Sequence, residues 1–176
     1  MPHSPPTLRA ATTDDQTSIV ELCKTSLTTI YGTFMAPERM RPWVEGNEVE
    51  DYVRRMWPCM TVAVWHDAVV GVVAVDGRVI DLLWVRDDVR RRGVGSTLMN
   101  RAESVIFTTH EEAELECFAP NRMGLTFYRA RGYRTIRRYY EAASGVDKVV
   151  MRKPFAAPVQ TGSRRRWSFW SPTGAG

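Results

Sequence analysis

The sequence predicts an α/β domain on a mixed, mostly antiparallel central sheet of about seven strands, with helices on both faces. Three observations lead there. Apolar, β-branched runs follow one another between residues 60 and 85 with only short turns between them, as antiparallel neighbours do. The last of these runs leads into a helical pattern and then another strand, a β-α-β crossover whose strands are parallel. The chain has 176 residues, 44% of them hydrophobic, enough for one real core.

The elements follow in order. TLRAATT reads as a strand that ends at Asp14-Asp15, a good helix-cap pair. Residues 16–31 carry Ile19, Leu22, Cys23 and Leu27 at helical spacing. Residues 32–46 hold two prolines and read as a looser segment. NEVEDYVRRMW is a second helix, closed by Pro58. MTVAVW and AVVGVVAVD form a hairpin around His66-Asp67, and RVIDLLWV adds a third strand. A helix over roughly 94–109 follows, then the strand AELECFA and a short helix, NRMGLTFYRARG, with Gly132 as its stop signal. YRTIRRYYE and DKVVMRKP close the domain as strands. The domain is therefore read as 1–155. Residues 156–176, rich in Pro, Gly and Ser with Arg164 to Arg166 beside Trp167, Phe169 and Trp170, read as a flexible tail.

Composition narrows the function. Residues 1–76 hold 6 Lys/Arg against 10 Asp/Glu, whereas residues 77–176 hold 18 against 10. An acidic half beside a basic half suits a cationic ligand on one side and an anion on the other. Cys23, Cys59 and Cys117 are too few and too scattered for a disulfide framework, and no C-x-x-C pair suggests zinc. His3, His66 and His110 are isolated, so no metal is expected. The start, MPHSPPTLRA, has no signal-peptide pattern, no apolar run reaches the length of a membrane span, and a cytoplasmic location is expected.

The densest signal is Arg90-Arg91-Arg92-Gly93-Val94-Gly95-Ser96, after a strand and at a helix start. A helix N-terminus has unpaired N–H groups and partial positive charge, and glycine lets a ligand approach the backbone. Arginines added there make a site for a phosphate-bearing anion. The segment has neither the Lys-Ser/Thr ending of a P-loop nor the spacing G-x-G-x-x-G. It does resemble the R/Q-x-x-G-x-G/A signature of the GCN5-related N-acetyltransferases. About thirty residues on, LECFAPNRMGLTFYRARGY resembles the family's second signature, with Asn121, Phe127, Tyr128, Gly132 and Tyr133 in place. Gly124 stands where the family often has Ala. The resemblance spans roughly residues 7–155.

That resemblance implies acetyl-CoA as co-substrate. Residues 90–96 would grip its diphosphate: Arg90, Arg91, Arg92, Gly93, Val94, Gly95 and Ser96. Leu83, Trp84 and Val85 would present backbone groups to the pantetheine arm, with Asn121 bonding it. The parallel strands 79–85 and 113–119 would splay to admit the arm, and a freed strand amide would stabilise charge on the thioester oxygen. Tyr128 is the candidate acid for the leaving thiolate; packing in the core is the blander alternative. Glu116 and Asp81 are the candidate bases, against a reading as exposed strand carboxylates. Strand alternation places Asp81 on one face with Val79 and Leu83.

The acceptor pocket is expected from the first 60 residues. They offer Tyr31, Phe34, Met35, Trp43 and Trp57, with Glu38, Glu45, Glu48, Glu50 and Asp51, a mixture suited to a cationic amine. The reading is an acetyl-CoA-dependent N-acetyltransferase acting on a primary amine of a small molecule or protein. A CoA-binding regulatory protein without turnover is the alternative. No membrane partner is expected, nucleic acid is a third and weaker reading, and a homodimer through the late strands and tail is left open.

Overall fold

The computed structural model describes residues 5–155. The tail read as flexible lies outside the described residues, with its Arg/Trp cluster. Seven strands form one sheet in the order β1-β2-β3-β4-β5-β7-β6: β1 Thr7–Ala10, β2 Met60–Trp65, β3 Ala68–Asp76, β4 Val79–Val85, β5 Glu112–Phe118, β6 Arg134–Glu141 and β7 Val146–Pro154. Every neighbouring pair is antiparallel except β4 and β5. The helices are α1 Gln16–Ser26, α2 Pro37–Val44, α3 Glu48–Met56, α4 Val94–Ile106 and α5 Arg122–Ala130.

Helices cover both faces, because each sheet face is apolar. On one face α4 and α5 pack Leu98, Met99, Ile106 and Leu125 against Val70, Val73, Leu115 and Met151. On the other, α1 and α3 pack Ile19, Leu22, Val49 and Val53 against Val62, Val72 and Trp84. Leu98 is fully buried; burying such a side chain contributes about 1.5–3 kcal/mol.

Two expectations change. The segment 32–46 is not simply loose, for it contains α2. Pro37 sits at the first helical position, where no N–H is needed. Pro42 lies inside the helix and forfeits one backbone bond, which the packing of Met40, Trp43 and Val44 with Met35 and Phe118 outweighs. The second change is at Asp15, which does not cap α1 with its side chain. Its carboxylate accepts two bonds from Arg9, at 2.7 and 2.8 Å, and one from the Thr12 N–H at 2.7 Å.

The parallel pair positions the site. β4 meets β5 only at Val79↔Glu114 and Ile80↔Leu115. Beyond that point β4 stays with β3 as far as Val85↔Gly71, while β5 stays with β7 as far as Phe118↔Lys148. The two strands therefore separate, and the β5-facing edge of β4 from Asp81 onward has no strand partner.

A bulge accompanies the separation. Ala74 pairs with Leu82 and Val75 with Ile80, so Asp81 is an extra residue in β4. The inserted residue resets the alternation. Ile80, Leu83 and Val85 face α4 and α5, while Leu82 and Trp84 face α1 and α3. Asp81 bonds Tyr52 of α3 and so does not share the face of Leu83, as simple alternation had it.

Candidate active site

Two cavities open where β4 and β5 part. One, of about 410 Å3, is lined by Val85, Arg90, Arg91, Gly93, Gly95 and Ser96, with Phe127 of α5. The other, of about 500 Å3, lies toward α1 and α3 and is lined by Tyr31, Tyr52, Asp81, Glu116 and Phe118 among others. Leu83, Trp84, Asn121 and Tyr128 border both cavities and mark their junction.

The first cavity is shaped for an anion with an extended arm. Gly93 precedes α4 in the left-handed conformation (φ 85°), which turns the chain into the helix. The first α4 bond runs from the Thr97 N–H to the Gly93 carbonyl at 2.9 Å, so the amides of Val94, Gly95 and Ser96 precede every helical acceptor. Arg91 is exposed beside them. Arg90 is half-buried, ion-paired with Asp87. Unpaired amides, a helix dipole and two guanidinium groups fit a diphosphate, and the unpartnered edge of β4 fits an amide-bearing arm.

Ten of the twelve residues expected around the co-substrate are brought together here. Arg92 is not: its guanidinium lies over the Trp65 ring, 5.6 Å from the centroid, on the far side of the turn. Val94 is also elsewhere: it is buried in the core beneath α4 and does not line the cavity.

Asn121 is the cap of α5 rather than part of it. Its Oδ1 accepts from the Gly124 N–H at 3.0 Å. A Cβ on residue 124 would lie 2.8 Å from Asn121 Nδ2, so glycine there lets the cap close. From this start α5 carries Tyr128 to the junction. Burial pushes the Tyr128 phenol well above its ordinary pKa, with the neighbouring Cys117 adding to the shift. The phenol therefore keeps its proton throughout the physiological range.

Both candidate carboxylates line the second cavity. Asp81 Oδ2 accepts from the Tyr52 hydroxyl at 2.6 Å. Burial first, and then this bond, raise the pKa of Tyr52. Glu116 Oε2 accepts from the Tyr139 hydroxyl at 2.9 Å and lies 3.6 Å from Lys148 Nζ. Lys148 also meets Glu141 at 2.5 Å. Burial alone would lower Lys148, but these two carboxylates outweigh it and hold the ammonium above its usual range.

Sequence reasoning did not find Tyr52, Tyr139 or Lys148. Tyr52 had a signal: it shares the helical stripe of Val49 and Val53, which faces the sheet. Tyr139 and Lys148 had none, since cross-strand proximity of β5, β6 and β7 is not written in any one of them. Of the residues expected at the acceptor side, Tyr31, Trp43, Glu48 and Asp51 line the cavity. The rest do not line it. Met35 is buried in a separate cluster with Phe34 packed on it, and Glu50 ion-pairs with Lys24 at 2.6 Å.

A seven-stranded sheet with one splayed parallel pair, and a helix start with unpaired amides at the split, is the architecture that the resemblance implied. The family model described as Acetyltransferase (GNAT) domain matches residues 36–155. The chain belongs to this family, the GCN5-related N-acetyltransferases. Solved structures agree on the fold. A GCN5-related N-acetyltransferase from Rhodopseudomonas palustris superposes with a TM-score of 0.74 at 21% identity, over 88% of this chain and 99% of the other. PaiA N-acetyltransferase from Thermoplasma acidophilum, solved in complex with coenzyme A, gives 0.72 at 15% identity over 86% and 100%. Ard1 from Thermoplasma volcanium gives 0.67 at 22% identity over 88% and 100%. No curated protein matches the sequence. Among the described residues no helix is long and apolar enough to cross a membrane.

Proposed function

We propose that the protein transfers an acetyl group from acetyl-CoA to a primary amine by direct attack within a ternary complex. The observation that carries this reading is the junction of two cavities at Leu83, Trp84, Asn121 and Tyr128, one built for an anionic carrier and the other beside two carboxylates. Coenzyme A in the Thermoplasma acidophilum structure supports the choice of carrier. Bound acetyl-CoA supplies an acyl group activated as a thioester.

The chain's own residues do the rest. Arg90, Arg91 and the α4 amides hold the diphosphate, and the free edge of β4 aligns the arm with the junction. An amine with a pKa near 10 arrives protonated and must lose a proton before its lone pair can attack the carbonyl carbon. Asp81 and Glu116 face its cavity and take up that proton for release to solvent. Glu116 is already met by a phenol and an ammonium, whereas Asp81 accepts from the phenol of Tyr52, so Asp81 is the better placed acceptor. As the C–N bond forms and the C–S bond breaks, Tyr128 gives its proton to the sulfur. It regains one from solvent when the nitrogen sheds its second proton. Freed amides on β4 stabilise the charge that develops on the carbonyl oxygen.

The test is thiol release from acetyl-CoA with a panel of amines, using wild type and Tyr128→Phe. Acetyl-CoA at a hundredfold excess over its Kd should stabilise both proteins by about 2.7 kcal/mol. Tyr128→Phe should lower kcat by about a hundredfold or more. Acetyl-CoA stabilisation without turnover of any amine would favour a regulatory carrier-binding protein instead.

A further inference from the structure

Glu103 of α4 is buried and charged, and no step of acetyl transfer uses it. A buried glutamate needs partners, and this one has three contacts with two cations. Its Oε1 accepts from Arg131 Nε at 3.3 Å, and its Oε2 accepts from Arg131 Nη2 at 3.1 Å and from Lys153 Nζ at 2.7 Å. Arg131 Nη2 also donates to Asn100 Oδ1 at 2.7 Å. Asn100 and Glu103 lie three residues apart on one stripe of α4, so together they fix the guanidinium to that helix.

Arg131 is the C-terminal cap of α5. The helix ends in a reverse turn, in which the Gly132 N–H donates to the Arg129 carbonyl at 3.0 Å and the Tyr133 N–H to the Tyr128 carbonyl at 3.1 Å. The Arg131 N–H also donates to the Tyr128 carbonyl, at 3.0 Å. The turn that Glu103 grips is therefore bonded to the backbone of Tyr128 twice. Side chains repeat the connection. Tyr133, buried in the core, meets the Tyr128 ring edge-on with centroids 6.0 Å apart, and the Arg131 guanidinium lies 5.9 Å from the centroid of Phe127.

The grip matters more to α5 than to α4. Val94, Leu98, Met99, Ala102 and Ile106 bury α4 against the sheet, whereas Leu125 is the one buried residue of α5. Asn121 holds the start of α5 as its cap, and Glu103 holds its end. Without the carboxylate, Arg131 and Lys153 would face each other unpaired. The less anchored helix would shift, and Tyr128 with it. A displacement of about 1 Å at a reacting group can cost about a hundredfold in rate.

We infer that Glu103 is a positioning residue for Tyr128: through Arg131 it fixes the last turn of α5, and so holds the phenol at the junction of the cavities. Glu103 itself lines neither cavity. This rests on the acetyl-transfer reading, in which Tyr128 gives a proton to the leaving sulfur.

The experiment is a double-mutant cycle on the full-length chain. Glu103→Gln is made in wild type and in Tyr128→Phe, and thiol release from acetyl-CoA is followed with an amine that wild type turns over. In wild type the substitution should lower kcat about tenfold, part of the cost of misplacing a reacting group. In Tyr128→Phe the same substitution should lower it by less than about twofold, because the group it positions is gone. The Kd for acetyl-CoA, from titration calorimetry, should change by less than about twofold, since α4 stays in place. Should Glu103→Gln fail to fold, Arg131→Lys takes its place in the cycle; it keeps the charge but loses the forked contact, with an expected loss in kcat of about threefold. Equal losses in the two backgrounds, a kcat that matches wild type, or a loss of acetyl-CoA affinity in place of kcat would overturn the assignment and leave acetyl transfer standing. Absence of turnover by wild type with every amine of the panel would overturn both.

Discussion

Replacing Gly93 by alanine tests the helix start on which the proposed carrier site depends. Gly93 has φ 85° and ψ −8°, and a Cβ built on it meets no atom within 4 Å. Steric pressure from neighbours is therefore absent, and the cost comes from the backbone alone. An L-residue in the left-handed region costs about 1–2 kcal/mol. For a chain of this length each kcal/mol shifts the melting temperature by about 2–4 °C, so Gly93→Ala should lower it by about 2–8 °C. Asparagine enters this region more readily, and Gly93→Asn should lose about half as much. If the alanine variant relaxes by turning φ negative, the amides of Val94, Gly95 and Ser96 swing away, and the rise in melting temperature with acetyl-CoA shrinks too. Scanning calorimetry with and without acetyl-CoA measures both effects. An alanine variant as stable as wild type, or an asparagine variant less stable than alanine, would refute the reasoning.

Three other outcomes follow from named contacts. Arg91→Ala should weaken acetyl-CoA binding about tenfold, whereas Arg92→Ala, whose side chain rests on Trp65, should change it by less than about twofold; titration calorimetry separates them. Arg9 foremost, with Thr12, holds the Asp15 carboxyl well below the usual carboxylate range, against the opposing effect of burial. Its contribution is therefore complete above an unfolded-state pKa of about 3.9 and is lost as pH falls toward the folded value, so the melting-temperature gap between wild type and Asp15→Asn should narrow from pH 6 to pH 3. Cys23 and Cys117 are buried, which pushes both thiols up to about 12, while Cys59 is exposed. A disulfide reagent at pH 8 should label Cys59 quickly in the native protein and the other two only on unfolding.

Much of this was legible in the chain itself. The alternating runs of β2, β3 and β4, the helical stripe of Ile19, Leu22 and Cys23, and the Arg-Gly helix start are all local patterns. Each was read from a few consecutive residues, and the sheet holds the strands where those patterns put them. Asn121 and Tyr128 were singled out in the second signature, and both border the junction of the cavities. The helix α2 was not foreseen, because Pro42 argues against a helix unless the packing of Met40 and Trp43 is known. Nor was the turning away of Arg92, since three adjacent arginines look alike until the left-handed residues Arg91 and Gly93 aim each one differently.

The sequence by itself determined the order of the strands, the location of the Arg-Gly helix start and the family, because these depend on short-range periodicity and on residue types at fixed spacing. Only the tertiary structure decided how the acceptor side is built. Asp81 faces Tyr52 because β3 skips a residue of β4 when it pairs, and face assignment by counting fails wherever the partner strand does the skipping. Glu116, Tyr139 and Lys148 meet because β5, β7 and β6 lie side by side, and Arg39 of α2 donates to a hairpin more than a hundred residues away. Contacts of that range belong to the packed sheet and have no trace in any single segment.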